Sequence, residues 1–157
     1  MGNHISEYLN ILQESAMYNS HRVARALKIK KIPKEYEFFL NRYGDFYYGP
    51  EIYGTTFDDD FKDTHMSVVR NTLNNRKHLN TPPKYLEIQN HDEYFDALNV
   101  EDGKVYEIHF GTWKGTPDTL IANSFTEYLE KKVLPRVNSK YKAHMKEIIR
   151  LTRFKTK

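Results

Sequence analysis

The side chains that could carry chemistry are seven histidines (His4, His21, His65, His78, His91, His109, His144) and 21 carboxylates, with no cysteine. Without cysteine there is no disulfide, thiolate metal site, iron–sulfur cluster or cysteine nucleophile. No two histidines stand four apart and no HExxH occurs, so helical zinc pairing is ruled out. His91-Asp92-Glu93 sets three ligand types in a row. Adjacent strand residues point to opposite faces, however, so the triplet reads as a solvated turn. His109, on an alternating segment, reads as a surface or edge residue rather than a base. Asp58-Asp59-Asp60 with Asp63 lacks the spacing and the later bidentate Glu of a calcium loop. It reads either as a solvated loop or as an acidic contact surface for a basic partner. Gly111-Thr112-Trp113-Lys114-Gly115-Thr116 lacks the Gly-Lys-Ser/Thr ending of a phosphate-binding loop. Ser124 precedes Phe125 as a helix cap, not in a nucleophile elbow. Paired carboxylates such as Glu93 and Asp96 are commonplace in an acidic stretch and do not mark an acid/base couple. No catalytic residue, metal ligand or cofactor is nominated, and the chain is read as a non-enzyme.

Charge placement is the more informative feature. The net charge of +3 hides an acidic middle and a basic end. Residues 44–130 hold 7 Lys/Arg against 16 Asp/Glu, and residues 131–157 hold 10 Lys/Arg with Glu147 as the one acid. Such separation creates local potentials that select partners. Lys142, Lys146, Arg150 and Arg153 could contact nucleic-acid phosphates. An amphipathic helix docked on a core would expose the same face, and no aromatic residues are interleaved for base stacking. Nucleic-acid association is therefore the alternative reading.

The elements that must position these groups follow from periodicity. With 157 residues, 39% of them hydrophobic and 14% aromatic, the chain can build one core, and 1–157 is read as a single domain. Met1–Ala16 has no uninterrupted apolar region, so it is not read as a signal peptide. No 18 apolar residues run together to span a membrane, and the expected location is the cytoplasm. Ile5, Tyr8, Leu9, Leu12 and Ala16 predict a first helix over about Ile5–Ala16. Arg22–Lys31 reads as a basic connector. A helix is bracketed by Pro33 at its first position and Gly44 just past its end, with Tyr36, Phe39, Leu40 and Tyr43 on one face. Glu51-Ile52-Tyr53 predicts a short strand. A helix from Thr64 to about His78 carries Met66, Val69 and Leu73. Strands are predicted at Tyr85–Ile88, Tyr94–Leu98 and Lys104–Phe110, the last two joined by a turn at Asp102-Gly103. Ser124-Phe125-Thr126-Glu127 reads as a capping box opening a helix to about Leu134, which Pro135 ends. A last helix covers about Ser139–Phe154, with Tyr141, Met145, Ile148 and Ile149 facing inward. The order predicts an antiparallel α+β fold.

The stretch from Ile32-Pro33 through Tyr36, Phe39-Leu40 and Gly44 resembles the opening signature of the SUKH superfamily. Glu51-Ile52-Tyr53-Gly54, Tyr94 through Phe110 and Ala122-Asn123-Ser124-Phe125-Thr126-Glu127-Tyr128-Leu129 resemble its later blocks, in order, over about residues 5–134. The resemblance implies a mixed, mostly antiparallel sheet flanked by helices, here with an extra C-terminal basic helix over about 138–155. It implies a protein-binding role. Many bacterial members are immunity proteins that neutralise a cognate toxin, often a nuclease, and others, such as fungal cell-wall regulators, are non-enzymatic interaction proteins. Asp45 stands where the family often has a second glycine, and the basic helix lies outside the common core.

An inhibitor that plugs a nuclease's basic cleft presents carboxylates. The expected partner is a cognate toxin with a basic surface. The nominated contacts are Asp45, Glu51, Asp58, Asp59, Asp60, Asp63, Asp92, Glu93 and Asp96, with Tyr47, Tyr48 and Trp113 as aromatic anchors.

Overall fold

The computed structural model describes residues 19–55, 65–111 and 113–157. The helix expected over Ile5–Ala16, and Asp58, Asp59, Asp60 and Asp63, lie outside the described residues.

Residues 19–27 are helical (α1), where the sequence reading saw only a connector. The basic residues concealed a spacing of four between Val23 and Leu27, both fully buried. Helix α2, Lys34–Arg42, begins one residue after Pro33 and buries Tyr36, Phe39 and Leu40. Gly44 follows at φ 82°, a left-handed conformation that glycine adopts without cost, and its N–H donates to Phe39 O. Glu51–Tyr53 forms isolated bridges rather than a full strand: Phe46 pairs with Ile52, and Gly54 pairs in parallel with Ser67.

Helix α3, Val68–Leu79, is capped by Ser67 Oγ, which accepts the Arg70 N–H at 3.1 Å. Its buried line runs through Val69, Thr72 and Asn75, while Leu73, expected inside, is 42% exposed. Thr72 and Asn75 are drawn inward because both hydrogen-bond to Glu87.

Four strands follow, β1 (Tyr85–Asn90), β2 (Tyr94–Asn99), β3 (Val105–His109) and β4 (Thr119–Ala122). They pair in that order, antiparallel throughout. Strand β4 has no counterpart in the sequence reading. A bulge between Glu87 and Gln89 shifts the β1–β2 register.

Helix α4, Phe125–Tyr128, opens on the expected capping box. Ser124 Oγ accepts the Glu127 N–H at 3.0 Å, and the Glu127 carboxylate accepts the Asn123 N–H. The helix widens into a π turn over Leu129–Val133 and tightens into a 3-10 turn over Leu134–Arg136. Pro135 has no N–H to continue the helical ladder, so the backbone changes pitch around it. Helix α5, Lys142–Lys155, buries Met145, Ile148, Ile149 and Thr152. One hydrophobic cluster joins residues of α1 through α5 with the inner sheet face. A smaller one on the outer face gathers Tyr85, Phe95, Ala97 and Ile108 under Leu79, Tyr106 and Trp113. None of the described helices is long and apolar enough to cross a membrane.

Candidate functional site

The β1–β2 turn is set by an Asx contact and a left-handed residue. Asn90 Oδ1 accepts the Asp92 N–H at 2.7 Å, and Asp92 takes φ 70°. Asp and Asn tolerate that conformation better than most residues. Asp92 and Glu93 are consequently both exposed.

Asp96 behaves differently. On β2, Phe95 and Ala97 belong to the outer-face cluster, so Asp96 and Leu98 point inward. Asp96 is 4% exposed and is not a contact carboxylate, contrary to expectation. The β1 bulge brings Gln89 opposite Asp96, on the same face. There the Tyr128 hydroxyl lies 2.6 Å from Asp96 Oδ2 and 2.6 Å from the Gln89 amide oxygen. Burial, reinforced by the Asp96 charge, holds the Tyr128 hydroxyl well above the ordinary tyrosine range. It acts as a hydrogen-bond donor, not as a base.

His91 links this buried network to the surface, with Nε2 2.7 Å from Asp96 Oδ2. Its ring stacks on Tyr94 at 4.6 Å, and Tyr94 stacks on His109 at 5.5 Å. His109 Nε2 in turn lies 2.9 Å from Glu107 Oε2. A three-ring stack therefore runs along this end of the sheet, beside Asp92 and Glu93. By sequence His91 is a turn residue and His109 an edge residue, and only the fold joins them through Tyr94.

The other nominated residues divide. Glu51 pairs with His65 at 2.5 Å. The Tyr53 hydroxyl is pushed up by burial and then by the charges of Glu87, Glu51 and Asp92. Asp45 lies close enough to raise both Tyr36 and Tyr48, as a smaller contribution to each. Tyr47 is 56% exposed, the most of the nominated rings, and its ring lies 4.6 Å from that of Tyr48. Tyr48 is half-buried, its ring stacked on Tyr141 at 3.9 Å. Trp113 is also half-buried: its ring lies 5.4 Å from Tyr85 and its backbone N–H donates to Leu79 O. Both rings were expected as anchors, and both cover apolar surface while keeping part of the ring exposed.

Internal pairing decides which acids remain available. Among the described residues, Glu51, Asp96 and Glu107 pair with histidines. Asp118, Glu127 and Glu130 pair with Lys114, Lys131 and Arg153. No ion pair among the described residues falls on Asp92, Glu93, Glu101 or Asp102. Asp92 and Glu93 sit at one end of the β2–β3 hairpin, and Glu101 and Asp102 at the other. Among the described residues, no three His, Asp or Glu side chains are arranged to hold a metal ion. On α5, Arg150 is paired with Glu147, while no ion pair among the described residues falls on Lys142 or Lys146.

The family description SUKH_5, SMI1-KNR4 cell-wall, matches residues 3–134. No curated protein matches the chain.

Proposed function

Since the chain belongs to the SMI1-KNR4 (SUKH) family, we propose that it is an immunity-type protein-binding domain, one that neutralises a cognate bacterial toxin through its acidic sheet end. The observation that carries this reading is the exposed pair Asp92 and Glu93, on which no ion pair among the described residues falls, beside the His91–Tyr94–His109 stack. The pair sits on a hairpin turn, next to a network anchored in the core by Asp96 and Tyr128. Exposed charge on a rigid mount steers a basic partner and fixes its register at little ordering cost. Flat aromatic rings supply contact area with few rotamers to freeze. A nuclease, whose active site gathers cations around phosphates, is a toxin such a face fits.

Binding rather than catalysis is favoured by the same network. Tyr128 is sealed from solvent, and no serine, threonine, cysteine or lysine joins His91 and Asp96 in the chain of contacts. The test is co-expression with the proposed cognate toxin, sought among the products of neighbouring genes. Survival of cells carrying both, together with co-purification of a stable complex, is the expected result. Death of those cells with no complex recovered would contradict the reading.

A further inference from the structure

Residues 135–157 lie beyond the family match, and α5 both closes the core and shapes a separate groove. The groove, about 410 Å³, runs between α5 and the π turn. Leu134, Ile149 and Phe154 give it an apolar floor, and Phe154 is 65% exposed, more than any other large hydrophobic side chain among the described residues. The rim is basic. Lys146, Arg150 and Arg153 follow at spacings of four and three and so share a helical face, and Lys157 extends the line. A depression of about 290 Å³ continues past Arg153 and Lys157 to Ser124 and Thr126.

Two of the rim cations already hold carboxylates: Arg153 contacts Glu130 at 2.8 Å and Arg150 contacts Glu147 at 2.8 Å. These pairs display the bond that an incoming acidic side chain would make, and both are exposed enough to exchange. No ion pair among the described residues falls on Lys146 or Lys157. We propose that this groove binds an acidic amphipathic segment of a protein partner. Its apolar side chains lie on Ile149 and Phe154, and its carboxylates bridge Lys146, Arg150 and Arg153. An apolar floor and a rim carboxylate, Glu130, suit a peptide better than a polyphosphate backbone, which gains from bare cations and stacking rings. The site shares no residue with the toxin-facing carboxylates, so either reading can fail without the other.

Fluorescence anisotropy of the full chain with a labelled synthetic peptide of Glu and Leu at helical spacing, about five turns long, tests this. Binding is expected. It should weaken about tenfold or more in Lys146→Glu and in Phe154→Ser, and strengthen a few-fold in Glu130→Gln, which releases Arg153. Both weakened positions are exposed, so circular dichroism melts should match the parent. Absence of binding, binding indifferent to Phe154→Ser, or a DNA duplex binding as tightly as the peptide would each overturn the proposal.

Discussion

The Tyr106 hydroxyl donates to Asp102 Oδ2 at 2.6 Å, and that bond, aided by partial burial, pushes its pKa up to about 12. Because the folded value exceeds the unfolded one, the bond's contribution is complete below the ordinary tyrosine value and is lost as pH rises through about 12. Urea midpoints should therefore fall more steeply at alkaline pH in the parent than in Tyr106→Phe, and parallel curves would contradict the assignment. Glu87 is the carboxylate counterpart. Burial raises its pKa, opposed by the side-chain amides of Asn75, which donates to one oxygen at 2.8 Å, and of Asn90. A raised carboxyl favours the fold below its unfolded value and loses that contribution as pH rises through the folded value. Glu87→Gln should therefore be more stable than the parent at neutral pH, by about 1 kcal/mol, with the gap closing in acid. Equal midpoints at both pH values would refute it. Tyr128→Phe strips the donor from buried Asp96 and should cost about 1–3 kcal/mol, whereas Tyr47→Phe at the surface should cost almost nothing. Asp96 was misread from sequence because an acid in an acidic run looks solvated. The strand is covered on both faces, so the alternation that normally flags an outward residue is missing.

Helix α5 is where sequence and family boundaries mislead most. The family match stops at 134, yet Met145, Ile148 and Ile149 belong to the central cluster, and Tyr141 stacks on Tyr48. Gly49 passes so close beneath this segment that a Cβ there would stand 2.8 Å from Arg136 O. Ile148→Ala should cost about 2–5 kcal/mol, and a chain ending at 135 should lose its cooperative melt. A truncated chain melting like the parent would show α5 to be an appendage. Its inward stripe was legible because 3.6-residue periodicity survives any surface charge. The hairpin was legible in place but not in register. A two-residue turn at Asp102-Gly103 would oppose Leu98 to Glu107, whereas a loop over residues 100–103 opposes Leu98 to Val105. That loop is what sets Tyr94 against His109, so the ring stack was out of reach without it. Strand β4 escaped notice because it is four residues long, with Leu120 48% exposed on the sheet edge.

At the scale of the whole molecule, the opposed charges of residues 44–130 and 131–157 do not cancel by pairing with each other in the described structure, apart from Glu130 with Arg153 and Glu127 with Lys131. The acidic hairpin ends and the basic groove stay available as separate surfaces, and encounter with a basic partner at the first should slow steeply as salt rises. The α+β architecture was legible from element order. The division of acids into buried, histidine-paired and free was not, since it depends on which strand face each occupies. The most direct test measures affinity for the proposed cognate toxin, sought among the products of neighbouring genes, in two charge-reversed proteins, Asp92→Lys/Glu93→Lys and Glu101→Lys/Asp102→Lys. The first should lose about tenfold or more in affinity and fail to protect cells, while the second, altered at the opposite end of the hairpin, should bind much like the parent. Full affinity and protection in Asp92→Lys/Glu93→Lys would contradict the proposed face.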